Sequence, residues 1–290
     1  MGSLIHSTRL LFEEEARRPE IELDLARASL LVAKEQYPQL PVERYLTRLD
    51  QLAEEVKDRL DEETAPLLVL QELLQSLFVR HGFKGNRDAY YDPRNSFLND
   101  VLDRRLGIPL SLGIVLLEVG WRLGLPLEGV DFPHHFLVRF RGESEDLLID
   151  AFDEGRIRYG NEAQELLDRV YGGMVRLRED FLRRATKRDI LVRLLRNLKS
   201  VYLNVREDRQ ALAAVERLLL LRPDLAGENR VGGLLSARLG RKEEALEYLR
   251  AYLGAEPHAR DAERIRSLVE RLSSDGDVTE DVSDEEVEDP

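Results

Sequence analysis

The sequence predicts an α+β protein, in which a helix-rich domain with a small antiparallel sheet is followed by an all-helical repeat module. Three observations carry this prediction. Apolar residues recur at spacings of three and four over most of the chain, as in helices that bury one face. Residues 129–152 are rich in β-forming residues instead, and the last third of the chain repeats with a period of 34 residues.

The N-terminal region, residues 1–82, is expected to form helices that pack on the core of the first domain. Pro38 and Pro41 separate two helical segments, and Pro66 lies near the start of a third. The apolar positions with helical spacing are Ile21, Leu23, Leu25, Leu30, Leu31, Tyr45, Leu46, Leu49, Leu52, Val56, Leu67, Leu70, Leu73, Leu74 and Leu77.

Residues 83–185 are predicted to form the core, which begins with a loop rich in glycine, asparagine and proline. A helix over residues 97–105 follows, and Asn95 or Ser96 can cap it. The next helix, residues 111–123, is apolar on nearly every face. We therefore expect it to lie at the centre of the core.

Strands follow this helix. Residues 129–132 form a short one, and residues 135–140 and 147–152 are expected to pair as a hairpin across a turn at 141–144. The hairpin supplies the small antiparallel sheet of the α+β arrangement.

Residues 186–272 are helical again and contain two related units. The 34-residue helix–turn–helix period is the signature of tetratricopeptide repeats, although Arg206 stands where the second unit has Gly240. The corresponding positions are Ala211 and Ala245, Val215 and Leu249, Leu219 and Leu253, and Pro223 and Pro257.

Composition limits the function. The formal net charge is −13 at pH 7, which disfavours direct binding of nucleic acid. The chain has no cysteine, so disulfides and thiol nucleophiles are excluded. No metal-ligand clustering or phosphate-loop spacing occurs, so we expect neither a bound metal nor a cofactor. The absence of a leader or an uninterrupted apolar span predicts a cytoplasmic protein without membrane contact.

The C-terminal residues 273–290 contain nine Asp or Glu residues and no Lys or Arg. This composition predicts a disordered acidic tail. The basic segment 176–199 reads first as a solvated helix face. A sharper hypothesis is that the tail folds over this segment, with a strength that salt reduces.

The candidate chemistry rests on Ser111, His135 and Asp150. A hydroxyl at a helix N-terminus, a histidine and a carboxylate on adjacent strands are the components of a nucleophile, a general base and an orienting acid. The alternative is structural: Ser111 caps its helix, His135 packs in a strand and Asp150 ends one.

Several separated motifs in order resemble the SirB family, bacterial proteins that join a transglutaminase-like, papain-type core to tetratricopeptide repeats. The similarity covers residues 20–260. The motifs are DPRNSFLNDVL at 92–102, RLGIPLSL at 105–112, RLGLP at 122–126, GVDFPHHFLVR at 129–139 and LIDAF at 148–152.

The resemblance implies that His135 and Asp150 match the histidine and aspartate of catalytic relatives, which use cysteine as the nucleophile. The cysteine position falls at Leu110 or Ser111, and serine is usual there in SirB proteins. Asn95, Arg105 and His134 lie in the same motifs, and His134 replaces a usual glycine. We assign these three residues to binding.

Two functions follow from this resemblance. The first is a non-catalytic, regulatory or scaffolding protein that holds a protein or peptide in the repeats or the cleft. The alternative is a serine-dependent hydrolase or acyl transferase on a peptide or amide, with Ser111 as nucleophile, His135 as base and Asp150 as orienting group.

Overall fold

The computed structural model describes residues 2–142 and 145–274, together with Val287. It divides the chain into two compact units, Met1–Leu191 and Val192–Pro290. The finer division predicted at residues 82, 185 and 272 stays a prediction. Most of the predicted tail, residues 275–286 and 288–290, lies outside the described residues, and so does its predicted contact with the basic segment.

The first unit contains helices on the N-terminal side of a mixed helix-and-strand core. Pro66 stands at the first turn of its helix, where a missing N–H costs nothing, and Asp24 caps another helix by accepting from the Arg27 N–H at 2.9 Å. The helices are α1 (Gly2–Arg17), α2 (Leu25–Gln36), α3 (Val42–Lys57), α4 (Pro66–Leu74), α5 (Leu98–Arg104), α6 (Pro109–Arg122) and α7 (Gly160–Tyr171), with α8 (Lys187–Asn204) spanning the boundary between the units.

The central helix is α6, as its apolar sequence predicts. Every residue from position 109 to 120 is buried. The single acid among them, Glu118, accepts a hydrogen bond from the Ala26 N–H at 3.0 Å and pairs with Arg122 at 2.5 Å. The carboxylate therefore ties α6 to the first turn of α2, where backbone N–H groups lack partners within the helix.

Close packing at Gly113 gives a prediction about the core. A Cβ atom on Gly113 would lie 2.5 Å from the ring of Phe136, which is buried. Gly113→Ala is therefore expected to lower the free energy of unfolding by about 1–3 kcal/mol through overpacking, in spite of its gain in helix propensity. Urea denaturation measures the loss. Gly254→Ala is the control, because a Cβ at this helical glycine meets nothing within 4 Å; an equal loss there would contradict the prediction.

The sheet confirms the predicted small antiparallel arrangement and enlarges it. The predicted hairpin is present, with Val138 opposite Ile149. The five strands run in the order β6–β5–β4–β3–β7, all antiparallel, and β1 and β2 pair separately in parallel. The strands are β1 (Lys84–Gly85), β2 (Leu106–Gly107), β3 (Leu127–Val130), β4 (Leu137–Phe140), β5 (Leu147–Asp150), β6 (Arg156–Arg158) and β7 (Arg184–Ala185).

Three local expectations need correction. His135 does not begin a strand: it lies in a turn that its N–H closes onto the Phe132 carbonyl at 3.0 Å, and β4 starts two residues later. Neither Asn95 nor Ser96 caps α5, since the cap position belongs to Phe97 and carries no side-chain hydrogen bond. Helix α6 begins at Pro109 rather than at Ser111, because proline suits the first helical turn.

The second unit has the helical hairpins that the 34-residue period predicts. Ala211 and Ala245 are fully buried, as expected of small residues at close helix contacts. Arg206 and Gly240, one repeat apart, both have left-handed backbone with φ of 58° and 69°. The arginine thus adopts the turn for which the other repeat uses glycine. The helices are α9 (Asp208–Leu221), α10 (Ala226–Arg238), α11 (Lys242–Ala255) and α12 (Ala262–Ser273).

Candidate functional site

Asp150 is the anchor of the candidate site. It ends β5, is 1% exposed, and caps the 3₁₀ turn Ala151–Asp153 by accepting from the N–H groups of Phe152 and Asp153 at 3.1 and 3.2 Å. Its other oxygen accepts two hydrogen bonds from Arg158 on β6, at 3.2 and 2.9 Å. This carboxylate is therefore fixed by backbone and guanidinium together.

His135 is brought to Asp150 by the turn before β4. The imidazole Nε2 lies 2.8 Å from the Asp150 Oδ1, and its side chain is 15% exposed. Since an ionised carboxylate only accepts, Nε2 carries the proton, and in neutral imidazole Nδ1 keeps a lone pair. Within the described ranges no residue makes a hydrogen bond to Nδ1. His135 and Asp150, named from the sequence as candidate base and orienting acid, therefore lie within hydrogen-bond distance, and their roles stay a prediction.

The charge state of Asp150 follows from this environment. Burial raises the pKa of its carboxyl, but hydrogen bonds and electrostatic attraction from His135 and Arg158 outweigh burial and hold the pKa below its ordinary value. The site therefore keeps an anion beside the imidazole at neutral pH.

This lowered pKa predicts a pH-dependent contribution to stability. A carboxyl whose folded pKa lies below its unfolded value, about 3.9, stabilises the fold fully above that value and loses the effect as pH falls through the folded pKa. The difference in unfolding free energy between wild type and Asp150→Asn is therefore expected to be large at neutral pH and to shrink below about pH 4. Urea titrations across this range measure it. A difference that stays constant with pH would contradict the assignment.

Ser111 does not join the pair. It is 1% exposed in the first turn of α6, where its Oγ donates to the Asn95 carbonyl at 2.6 Å and accepts from the Ile108 N–H at 3.1 Å. No hydrogen bond between Ser111 and His135 exists among the described residues. The alternative nucleophile position, Leu110, is a buried apolar side chain.

Asn95 is fully buried and organises the loop beside the histidine. Its side-chain N–H₂ donates to the carbonyls of Ala89 and Tyr90 at 2.6 and 3.1 Å, and its oxygen accepts from Asn86 at 3.0 Å. Asn95 therefore shapes the loop that follows β1, and through its own carbonyl it holds Ser111. Its position favours an indirect part in binding over direct contact with a ligand.

An aromatic ring of the 3₁₀ turn after β5, Phe152, connects that loop to His135. The ring of Tyr90 meets the ring of Phe152 edge-on at 6.0 Å, and Phe152 meets the His135 imidazole edge-on at 6.2 Å. The guanidinium of Arg87 lies 5.0 Å from the centre of the Phe152 ring. Phe152 is thus the ring beside the imidazole, and Tyr90 in turn meets Tyr91, which is 71% exposed, edge-on at 5.3 Å.

The other two predicted binding residues lie elsewhere. The exposed ring of His134 meets Tyr171 of α7 edge-on at 5.6 Å, and φ of 54° gives His134 left-handed backbone. Arg105 ends α5, also with left-handed backbone, and lines a cavity against α3. Neither makes a hydrogen bond to the His135–Asp150 pair in the part of the chain that the structure describes.

Sequence reasoning missed Arg158 and Asn86. The signal for Arg158 is weak: Arg156 and Arg158 alternate with Ile157, but three residues are too few to identify a strand. Asn86 lies in a stretch whose composition indicates only a loop. Among the described residues, no group of three His, Asp or Glu side chains could hold a metal ion. In the same residues no helix combines the length and the apolarity that a membrane crossing needs.

Two regions of the chain match known protein families. A family profile described as the transglutaminase-like superfamily matches residues 43–196, and one described as a tetratricopeptide repeat matches residues 198–270. The first runs from the start of α3 into the middle of α8 and so includes Ser111, His135 and Asp150. No solved structure matches the chain.

Full-length relatives carry the name UPF0162 protein. One from Xylella fastidiosa strain Temecula1 is 38% identical over 256 residues, which is 87% of this chain and 91% of the relative. One from Vibrio cholerae is 30% identical over 258 residues, 89% of this chain and 95% of the relative. A mouse F-box only protein 21 is 44% identical over 85 residues, 29% of this chain and 14% of that protein.

Proposed function

We propose, since this chain belongs to the UPF0162 family of transglutaminase-like proteins, that its site binds a protein or peptide segment without cleaving it. The tetratricopeptide region favours a protein partner, because such repeats present surfaces that hold peptides and helices. The proposed role is regulation or scaffolding in the cytoplasm. Membership of the narrower SirB family is part of the same proposal.

The bonding of Ser111 is the observation that supports a non-catalytic role. A serine nucleophile must pass its proton to a base, so its hydroxyl has to be within hydrogen-bond reach of that base. The Ser111 hydroxyl instead donates its hydrogen bond to the Asn95 carbonyl at 2.6 Å, and its oxygen accepts a hydrogen bond from the Ile108 N–H at 3.1 Å. The hydroxyl joins two segments of backbone and is 1% exposed.

Comparison of captured partners tests the binding role. Tagged wild type, Ser111→Ala and His135→Ala would be used as bait in lysate of the organism that encodes the chain, and bound proteins would be quantified by mass spectrometry. We expect Ser111→Ala to retain the specific partners of wild type. Specific partners that accumulate only on Ser111→Ala would be trapped substrates, and that result would contradict the proposal.

The His135–Asp150 pair favours one second candidate, a serine-dependent hydrolase or acyl transferase on a peptide or amide. The imidazole has its orienting carboxylate at 2.8 Å and an Nδ1 with no partner in the described ranges, as a general base requires. For turnover Ser111 would have to leave both backbone partners and turn toward Nδ1. Hydrolysis of activated amides or esters that Ser111→Ala abolishes would favour this candidate.

A further inference from the structure

A cavity of about 420 Å³ lies between α3 and the end of α5, apart from the His135–Asp150 pair. Its walls carry polar groups and a single carboxylate, with one apolar side chain, Leu102. The lining residues are Arg44, Tyr45, Thr47, Arg48, Gln51, Leu102, Asp103 and Arg105. A volume of this size suits a small molecule.

The guanidinium groups of the cavity lack carboxylate partners. In residues 2–142 and 145–274, no hydrogen bond or ion pair joins the side chains of Arg44, Arg48 or Arg105 to an acid. The one acid in the wall, Asp103, accepts the Tyr45 hydroxyl at 2.7 Å. By contrast, Arg27 of α2 has a carboxylate partner: it forms an ion pair at 2.7 Å with Glu43 of α3.

The backbone collects these charges on one side. Arg44 and Arg48 are four residues apart on α3, so both side chains lie on one helix face, where like charges repel. Arg105 lines the opposite side of the cavity, at the end of α5, where its own backbone is left-handed. Its carbonyl accepts a hydrogen bond from the Lys84 N–H at 3.0 Å. An anion between the three groups would remove the repulsion.

We propose that this cavity binds the phosphomonoester group of a small molecule, through Arg44, Arg48 and Arg105. Three guanidinium groups and one carboxylate leave two positive charges, which a phosphate dianion balances. Guanidinium forks bind phosphate oxygens in pairs, and Thr47 and Gln51 supply polar contacts for the rest of the ligand. The whole chain has a formal net charge of −13, so the attraction for an anion is confined to this local group of arginines.

Phosphate binding tests this assignment directly. Isothermal titration calorimetry with phenyl phosphate and inorganic phosphate, at constant ionic strength adjusted with chloride, is expected to show one saturable site. Arg48→Gln and Arg105→Gln are each expected to weaken phenyl phosphate binding about tenfold or more, because each removes charge-assisted hydrogen bonds. Melting in chloride verifies that both variants fold.

Arg169→Gln is the matched control. Arg169 is exposed at the end of α7, has no described partner, and loses the same charge on substitution. It should leave binding unchanged. An equal loss in Arg169→Gln would mean general electrostatics, and no saturable binding by either phosphate would mean no site; both results overturn the proposal.

A phosphoserine in a short neutral peptide separates the two sources of this chemistry. We expect the peptide to bind more weakly than phenyl phosphate, because the cavity accommodates a small ligand. Tighter binding by the peptide would overturn the assignment to a small molecule.

Discussion

Asp150→Ala is expected to lower the free energy of unfolding by about 3–5 kcal/mol, the usual loss when one partner of a buried ion pair is removed. Within the described part of the chain, the substitution leaves the Arg158 guanidinium, 4% exposed, with the partly exposed Asp153 as its one acidic partner. It also removes the acceptor for His135 and for two backbone N–H groups. Equilibrium unfolding in urea at neutral pH measures the change.

Two comparisons separate this effect from a general loss of charge. Asp146→Ala removes a partly exposed carboxylate from its ion pairs with Arg141 at 2.5 Å and Arg139 at 3.8 Å, so a much smaller loss, of about 1 kcal/mol or less, is expected. Replacing Arg158 by Met together with Asp150→Ala removes the unpaired charge and should recover part of the loss. If Asp150→Ala costs no more than Asp146→Ala, Asp150 does not anchor the site.

Ser111→Ala is expected to lower the free energy of unfolding by about 2–4 kcal/mol, because it leaves the Asn95 carbonyl and the Ile108 N–H buried without partners. Ser29→Ala is the matched control: Ser29 is also 1% exposed and helical, but its hydroxyl has no hydrogen-bond partner among the described residues. Removing it should be neutral or stabilising. Equal effects in urea unfolding would contradict the structural role of Ser111.

A thiol at this position is not expected to act as a nucleophile. Ser111 is 1% exposed, so a larger sulfur atom would have to displace packed neighbours. Sulfur is also a weak hydrogen-bond partner for the Asn95 carbonyl and the Ile108 N–H. Ser111→Cys is therefore expected to lose stability and to gain no activity.

The fold was predictable where periodicity is strong. The apolar run of α6 and the 34-residue repeat each depend on many residues that agree, so one irregular position does not hide the pattern. Strands β6 and β7 were not predictable, because they have three and two residues and contain Arg156, Arg158 and Arg184. Their pairing is set by the neighbouring strands rather than by their own sequence.

The candidate site was predictable in part for a related reason. His135 and Asp150 lie within short sequence motifs that can be identified without the structure. The β4–β5 hairpin then places both residues at one end of the sheet. The engagement of Ser111 depends on a carbonyl 16 residues away, at a turn that the sequence did not define. The alternative that Ser111 caps α6 agrees with the structure in part, because the Ser111 hydroxyl accepts from the N–H of Ile108, the residue that precedes the helix.

Labelling of Ser111 by a fluorophosphonate tests the central claim, that this hydroxyl is a structural link rather than a nucleophile. The folded protein would be treated with the probe near neutral pH, and its peptides mapped by mass spectrometry, with a known serine protease in the same sample as a positive control. The hydrogen bonds to Asn95 and Ile108 predict no adduct on Ser111. An adduct on Ser111 that His135→Ala abolishes would contradict this account and establish a serine enzyme.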